Sequence, residues 1–177
     1  MKTFYSTIFA LLFSVLFAAN TPAAGADVAY TLGAGDRVKV TVFGHDDLSV
    51  ELEVGTNGTV SMPLIGEINV DDRTLRDIEA VIVSKLQPDY LKNPKVAVEV
   101  LGYRPFYIIG EVKNPGSYPY VSGMRVVNAI ALAGGYTYRA RENKLSITRG
   151  QSGQQSTADH GTIVFPGDVV EVPERFF

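Results

Sequence analysis

Residues 106–135 read FYIIGEVKNPGSYPYVSGMRVVNAIALAGG, and this stretch decides the fold of the second half of the chain. Its strongly apolar beginning, at 106–112, predicts a strand. Pro115-Gly116 predicts a turn, after which the residues at 118–121 are expected to return as a second strand. The stretch therefore opens with two strands joined by a short turn.

The rest of this stretch predicts a helix. Ser122 is expected to cap its start, because a serine hydroxyl can accept a hydrogen bond from a first-turn N–H group. Gly134-Gly135 is expected to end it, since glycine takes the left-handed conformation without a Cβ clash. The residues expected to face the core are Val126, Val127, Ile130 and Ala131.

Further strands follow the helix and complete this second unit. Their apolar positions are Leu145, Ile147, Ile163, Val169 and Val172. The intervening segment at 151–161 is polar and rich in glycine and serine, so it predicts a mobile loop. Two strands, a helix and further strands, in this order, indicate a small β-grasp domain.

The chain upstream of this unit is also rich in strands. Apolar and polar residues alternate at 38–42 and again at 48–54, which predicts two half-buried strands. Asn57-Gly58 favours a tight hairpin turn, from which the segment at 60–62 would return along the second strand. Pro63-Leu64-Ile65-Gly66 is expected to break that pairing.

One helix interrupts these strands. Thr74 and Asp77 form a capping-box pattern at its start. Its apolar stripe is Leu75, Ile78, Ile82 and Leu86, and Pro88 is expected to end it. A strand follows at 96–100, and the segment at 102–105 marks a boundary. The predicted fold class is therefore α+β, with a β-rich domain containing one helix at 27–103 and a β-grasp domain with a C-terminal strand at 104–177.

Residues 1–26 have the order of a secretory signal peptide. Lys2 supplies the positive charge, an apolar run follows at 8–19, and Ala24-Gly25-Ala26 fits a cleavage signal. The apolar run is shorter than the roughly 20 residues that span a bilayer. These features predict export to the periplasm with Asp27 as the first mature residue; the alternative is a buried or membrane-anchoring helix.

The composition argues against several classes of protein. The 16 basic and 19 acidic residues give a net charge of −3, unlike the basic face of a nucleic-acid-binding protein. The chain has no cysteine, which excludes disulfides, thiol nucleophiles and thiol-linked lipid. It also lacks the phosphate-binding, hydrolase and zinc-protease motifs. We therefore expect no enzyme, catalytic residue, cofactor or metal, and we interpret His45-Asp46-Asp47 as a solvated turn, since Asp favours turns.

A candidate contact surface lies just past the second predicted helix. Its residues are Tyr136, Tyr138, Arg139, Arg141 and Asn143. The apolar face of a sugar ring can lie on an aromatic ring while the sugar hydroxyls reach nearby polar groups. The alternative is that these tyrosines are core or subunit-contact residues, because aromatic residues are enriched at interfaces.

The pattern Gly-Asp-x-Val-x-Val occurs twice, at 35–40 and at 167–172. Both copies predict a turn that leads into an alternating strand. The repeat is too short to establish a duplication.

Short motifs over both units resemble one known family. In the first unit they are Tyr30-Thr31-Leu32-Gly33-Ala34-Gly35-Asp36, Asn57-Gly58-Thr59-Val60, Pro63-Leu64-Ile65-Gly66 and Pro94-Lys95-Val96. Their order resembles the polysaccharide export domain of the polysaccharide biosynthesis/export proteins. The motifs of the second unit are Gly110-Glu111-Val112, Ala129-Ile130-Ala131-Leu132-Ala133-Gly134-Gly135 and Pro166-Gly167-Asp168. They resemble the soluble-ligand-binding β-grasp (SLBB) domain that follows it in that family.

The resemblance implies a ring of subunits that exports exopolysaccharide or capsule through the periplasm. Long members add a lipid anchor and a C-terminal helix that builds an outer-membrane pore. Because this sequence has no cysteine and ends at Phe177 without such a helix, it is similar to a short, non-lipidated member. The expected partners are polysaccharide, further copies of the chain, an inner-membrane polysaccharide co-polymerase and a separate outer-membrane barrel protein. Docking to that barrel would use the segment at 151–161 or Phe176-Phe177.

Two other functions stay open from the sequence. The chain could be a monomeric periplasmic sugar- or ligand-binding β-grasp module, which a mass measurement in solution would distinguish from a ring. A polysaccharide-cleaving enzyme would need a pair of spaced carboxylates, which the sequence does not locate.

Overall fold

The computed structural model describes residues 30–175, which form an α+β fold, as predicted. The predicted signal peptide and Phe176-Phe177 lie outside the described residues. In chain order the elements are β1 (Arg37–Val42), β2 (Val50–Glu53), β3 (Thr59–Met62), β4 (Gly66–Asn69), α1 (Leu75–Leu86), β5 (Val96–Gly102), β6 (Phe106–Gly110), β7 (Gly116–Tyr118), α2 (Val126–Leu132), β8 (Leu145–Thr148), β9 (Gln155–Ala158) and β10 (Val169–Val172). Within 30–175, neither helix has the length and apolar character needed to cross a bilayer.

The first unit is built on a three-stranded antiparallel sheet in the order β2-β1-β5. Val38, Val40 and Val42 of β1 are all buried, and the residues between them are more exposed. Successive side chains of a strand point to opposite faces, so this alternation places the three valines in the core. The strand predicted from the pattern at 38–42 is confirmed.

Helix α1 covers the buried face of this sheet. Thr74 Oγ1 accepts a hydrogen bond from the Asp77 N–H (3.2 Å), and Asp77 Oδ2 accepts one from the Thr74 N–H (3.1 Å). The predicted capping box is therefore confirmed. The fully buried stripe of the helix is Ile78, Ile82 and Leu86. These residues join the valines of β1 in one core because they recur every four residues on one helix face.

The second predicted strand begins later than expected. Asp46–Leu48 forms a 3₁₀ turn, and Leu48 is buried at its end. Ser49 Oγ accepts a hydrogen bond from the Val42 N–H (3.0 Å) and donates one to the carbonyl of His45 (3.1 Å). Ser49 thus closes the turn against the end of β1, and strand pairing starts only at Val50.

Strands β3 and β4 form a separate hairpin, which the sequence-based prediction misplaced. Met62 lies opposite Gly66, so Pro63-Leu64-Ile65 makes the hairpin turn rather than breaking a pairing. Leu64 and Gly66 both have positive φ there (68° and 67°). Asn57-Gly58 does form a turn, but the strands beside it belong to different sheets, because β2 pairs along its length with β1 instead of β3.

The second unit is a five-stranded mixed sheet in the order β7-β6-β10-β8-β9. β10 runs parallel to β6, and the other neighbouring pairs are antiparallel. Helix α2 packs on one face, where its residues Val126, Ala129 and Ile130 meet Phe106 and Ile108 of β6 in a common core. One helix on a mixed sheet agrees with the predicted β-grasp.

Helix α2 begins at a different residue from the one predicted. Arg125 is its N-cap, and Asn128 Oδ1 accepts a hydrogen bond from the Arg125 N–H (3.0 Å), so the assignment of the cap to Ser122 was wrong. The inward assignment of Val127 and Ala131 was also wrong, since both are exposed. A residue next to an inward one lies about 100° away around the helix, so Val127 and Ala131, which follow the buried Val126 and Ile130, are turned away from the core.

The remaining corrections concern strand bounds. The returning strand ends at Tyr118, where 118–121 was predicted. Ile163 makes only an isolated bridge to Arg125. The predicted mobile loop contains β9, which pairs with β8 at the edge of the sheet. Most of its side chains are exposed, and an edge strand tolerates polar residues because its pairing uses the backbone.

Candidate functional site

The two Gly-Asp-x-Val-x-Val segments fold into the same turn. Asp36 Oδ2 accepts a hydrogen bond from the N–H group three residues before it, at Gly33 (2.9 Å), and Asp168 Oδ2 does the same with Phe165 (2.8 Å). Both carboxylates are buried, at 0% and 1% exposure. The glycine before each aspartate has positive φ, 89° and 84°, which glycine adopts without strain.

Each aspartate also pairs with an arginine from another part of the chain. Arg104 Nη1 lies 2.9 Å from Asp36 Oδ2, and the Arg104 N–H donates to Asp36 Oδ1 (2.8 Å). Arg149 Nη1 lies 2.6 Å from Asp168 Oδ2, and the Gly150 N–H donates to Asp168 Oδ1 (3.1 Å). Both units thus contain the same turn, in which a buried carboxylate is paired with a guanidinium.

Arg104 lies at the junction of the two units. It belongs to the segment between β5 and β6, and its guanidinium packs against Gly33 of the first unit. A Cβ at Gly167 of the second unit would lie 2.8 Å from Arg104 Nε. The side chain of Arg104 therefore fills the space between the two Gly-Asp turns. That space is open because Gly33 and Gly167 carry no Cβ.

Further contacts join the units beside Arg104. Gln151 Nε2 donates a hydrogen bond to Thr31 Oγ1 (2.6 Å). The ring of Tyr103 lies edge-on to the rings of Tyr30 and Tyr120, with centroids 5.1 Å and 5.2 Å away. These contacts hold the first and last described residues of the first unit against the second unit.

A cavity of about 330 Å³ opens at this junction. The residues lining it include Tyr30, Thr31, Arg104, Arg149, Gln151 and Phe165. The guanidinium of Arg149 lies over the Phe165 ring, 5.0 Å from its centroid. Asp168 also lines the cavity, which therefore combines aromatic surface with two cationic side chains and one carboxylate, a suitable lining for a small polar ligand.

Tyr30 is the most perturbed ionisable group of this site. Its hydroxyl donates a hydrogen bond to Asp36 Oδ2. Burial and the nearby carboxylate raise the pKa of Tyr30 well above its ordinary value. The phenol therefore stays protonated and serves as a permanent donor to Asp36.

The predicted contact surface past α2 lies elsewhere, and its tyrosines have different environments. Tyr136 packs against the core of the second unit, and its hydroxyl lies 2.9 Å from His160 Nε2. Burial raises the pKa of Tyr136. Tyr138 projects into solvent with 84% of its surface exposed. The core interpretation therefore applies to Tyr136, and Tyr138 is free to make contacts with another molecule.

The polar members of that surface make contacts of their own. Arg139 pairs with Glu174 near the end of the described chain, and the Arg141 N–H donates to the carbonyl of Pro173 (2.9 Å). Asn143 is exposed. The contact of these residues with sugar stays a prediction. As for metals, no group of three or more His, Cys, Asp or Glu side chains in residues 30–175 could hold an ion.

The sequence-based reasoning missed the arginines at the junction. The repeated Gly-Asp pattern signalled the two turns, but it did not indicate that both carboxylates are buried. Arg104 lies 68 residues from Asp36, and Arg149 lies 19 residues from Asp168. No local pattern links residues at such separations, so only the fold brings them together.

Comparisons with known proteins agree with the two-unit structure. The family model for polysaccharide biosynthesis/export proteins matches residues 24–101, and the SLBB domain model matches residues 105–159. The exopolysaccharide production protein ExoF of Rhizobium meliloti (strain 1021) is 30% identical over 93% of this chain and 39% of its own length. The polysialic acid transport protein KpsD of Escherichia coli is 29% identical over 71% of this chain and 23% of its own length.

A third relative is the capsule polysaccharide export outer membrane protein CtrA of Neisseria meningitidis serogroup B. It is 28% identical over 60% of this chain and 27% of its own length. The chain thus spans well under half the length of each of these relatives. With a matched export domain followed by a matched SLBB domain, the chain belongs to the polysaccharide biosynthesis/export protein family.

Proposed function

We propose that this chain is a ring-forming periplasmic component of a conduit that exports exopolysaccharide or capsule. The names of its relatives describe exopolysaccharide production, polysialic acid transport and capsule export, which supports this role. In this proposal the chain conducts the polymer and does not react with it. Its domains are the export domain up to residue 103 and the SLBB domain from residue 104.

The observation that carries the ring is a pair of apolar surfaces on opposite sides of the second unit. On the helix side, Val127 and Leu132 of α2 are 45% and 49% exposed, beside Val121 at 63%. Val121 and Leu132 border a groove of about 560 Å³. On the sheet side, Tyr107 and Ile109 of β6 are 43% and 46% exposed. We call these the helix surface and the sheet surface.

The two surfaces must face in opposite directions. Phe106 and Ile108 point toward α2 and are fully buried, and side chains alternate along a strand, so Tyr107 and Ile109 point away from the helix. A contact between the helix surface of one copy and the sheet surface of the next is head-to-tail. Such a contact repeats from copy to copy and closes into a ring when the rotation between copies allows it.

The proposed surroundings follow from export across the cell envelope. The ring would lie in the periplasm beside the outer membrane, reached through the predicted signal peptide. It would receive polymer from an inner-membrane polysaccharide co-polymerase and pass it to a separate outer-membrane protein. Cell fractionation and cross-linking of the chain in its own host test these placements.

The experiment for the ring is a mass measurement of the purified chain with variants of both surfaces. The parent should form a closed oligomer. Val127→Asp/Leu132→Asp and Tyr107→Asp/Ile109→Asp should each be monomeric, because a buried carboxylate without a partner opposes association. Leu64→Asp is the matched control, since Leu64 is 55% exposed on the first unit. This control should keep the oligomer.

Mixing the two disrupted variants makes the test sharper. Each variant retains one intact surface, so the mixture should form a heterodimer and stop there. A parent that is monomeric at all concentrations would contradict the ring and favour the monomeric sugar-binding module. A mixture that stays monomeric would show that these surfaces do not meet.

A further inference from the structure

We propose that the cavity at the junction of the two units binds the carboxylate-bearing sugar residue of an acidic polysaccharide through Arg104 and Arg149. We call it the junction cavity. The inference rests on the proposed function, because it assigns to the exported polymer a site that the family relationship does not locate. Its basis is the set of unused donors, the charge and the shape of this cavity.

Both guanidiniums have donors left for a ligand. Arg104 uses Nη1 for Asp36, and Arg149 uses Nη1 for Asp168 and for the carbonyl of Ile163. Within residues 30–175, the Nε and Nη2 groups of both arginines have no protein acceptor. Every buried side-chain N or O atom among these residues does have a partner. The unused N–H groups therefore face accessible space, and both arginines line the junction cavity.

The two aspartates orient the two arginines, and each arginine can still attract a second anion. The charge of Asp36 is shared among the Tyr30 hydroxyl, two backbone N–H groups and Arg104. Asp168 likewise accepts from two backbone N–H groups as well as from Arg149. Because backbone donors already stabilise the carboxylates, the outward edges of the guanidiniums remain attractive to a second acceptor. A carboxylate fits best, since it accepts two parallel N–H bonds from one guanidinium.

The rest of the cavity suits a sugar ring. Tyr30, Phe165 and Pro166 supply apolar surface, while Gln151 and Ser152 supply polar groups. A pyranose has the same division between an apolar face and a rim of hydroxyls. The cavity volume, about 330 Å³, lies at the small end of ordinary ligand sites and is suited to a ligand of one or two sugar units.

A second cleft continues from the cavity and limits where the carboxylate can lie. Arg104 and Gln151 line both spaces, and the second cleft is also lined by Asp71 and Asp72. Two exposed carboxylates there repel a third. The acidic group of the polymer therefore belongs at the arginines, and a neutral neighbouring sugar belongs in the second cleft.

The test compares two probes that differ only in the carboxylate, methyl β-glucuronide and methyl β-glucoside, with sodium acetate as a third. Resonances of the Arg104 and Arg149 Nε–H groups and of the Gln151 amide should shift on titration with the glucuronide. The glucoside should bind at least about fivefold more weakly, which is the effect of one close pair of charges in water. Acetate, which lacks the ring, should also bind more weakly than the glucuronide.

Two variants then test the position. Gln151→Glu places a negative charge at the cavity and should weaken glucuronide binding at least about fivefold at low ionic strength. Gln154→Glu is the matched control, because it makes the same change three residues away outside the cavity lining and should weaken binding clearly less than Gln151→Glu does. Gln154→Glu should unfold as the parent does. Gln151→Glu also loses the hydrogen bond from Gln151 to Thr31, so its affinity is measured at a temperature at which its unfolding curve shows it to be folded.

Several results would overturn the inference. Equal affinity for glucuronide and glucoside would show that the carboxylate is not recognised. Equal affinity for glucuronide and acetate would show that the sugar ring is not recognised. If both variants weaken glucuronide binding equally, or if only the resonances of other residues shift, the ligand does not bind in the junction cavity. Failure of the proposed function is a separate result: the parent would bind glucuronide at this cavity yet form no oligomer and restore no export to a deletion strain.

Discussion

The buried ion pair between Arg104 and Asp36 should be a principal support of the junction. Arg104→Met removes the guanidinium but leaves a fully buried carboxylate with three donors, from Tyr30, Gly33 and the backbone of residue 104. Removing one partner of a buried pair costs about 3–5 kcal/mol. Because three donors remain, we expect a smaller loss, about 2–3 kcal/mol in the free energy of unfolding, close to the value of one hydrogen bond to a charged group.

Urea unfolding followed by far-ultraviolet circular dichroism measures this loss. A double-mutant cycle with Asp36→Asn isolates the pair, because the double variant no longer buries a charge. We expect the loss in the double variant to be at least about 1 kcal/mol smaller than the sum of the two single losses. Arg104→Met should also lower the cooperativity of unfolding, since this residue lies between the two units.

The second pair provides a matched control. Arg149 is 31% exposed against 13% for Arg104, so water can replace more of its interaction with Asp168. Arg149→Met should therefore cost less, about 1–2 kcal/mol. A loss below about 0.5 kcal/mol for Arg104→Met, within the range of ordinary surface substitutions, would refute the reasoning. So would independent, additive effects of Asp36→Asn and Arg104→Met.

Three further predictions concern the helices and the N-terminus. Gly134→Val should lower the melting temperature, with a loss of at least about 1–2 kcal/mol, because Gly134 has φ +81° and an added Cβ would lie 2.8 Å from Asn114 Nδ2; an unchanged melting temperature would contradict this helix end. Hydrogen bonds from Thr74 hold the pKa of Asp77 below its ordinary value, so this contribution to stability is present at neutral pH and is lost as the pH falls through the lowered pKa. Thr74→Ala should therefore destabilise the chain at pH 7 and progressively less in acid, as thermal unfolding across a pH series would show. N-terminal sequencing of the exported protein should begin at Asp27, and an unprocessed N-terminus would count against the signal peptide.

The sequence alone was sufficient to predict the elements whose stabilising contacts join residues close together in the chain. The cap and stripe of α1 depend on residues three and four positions apart, and the alternating valines of β1 depend on positions two apart. The glycines at 134 and 135 both take positive φ, as the end of a helix requires. The order of such elements along the chain was enough to indicate an α+β fold, and the resemblance to the export family came from short motifs over both units.

Contacts in the folded chain decided which strands pair and where α2 begins, and the sequence alone did not show either. Asn57-Gly58 carried a hairpin signal, yet β2 pairs with β1, and the hairpin turn lies at Pro63-Leu64-Ile65. The start of α2 likewise depends on Arg125 and Asn128, which cap the helix three residues beyond the expected serine.

The candidate site shows the same division. The two Gly-Asp turns were visible in the sequence because each is a local hydrogen-bonded structure. Their arginines were not, since Arg104 reaches Asp36 across 68 residues and joins it only when the two units are packed together. A buried carboxylate requires a partner wherever the fold can supply one, and sequence spacing does not limit that choice. The turns were therefore determined by the sequence alone, and the junction cavity by the tertiary structure.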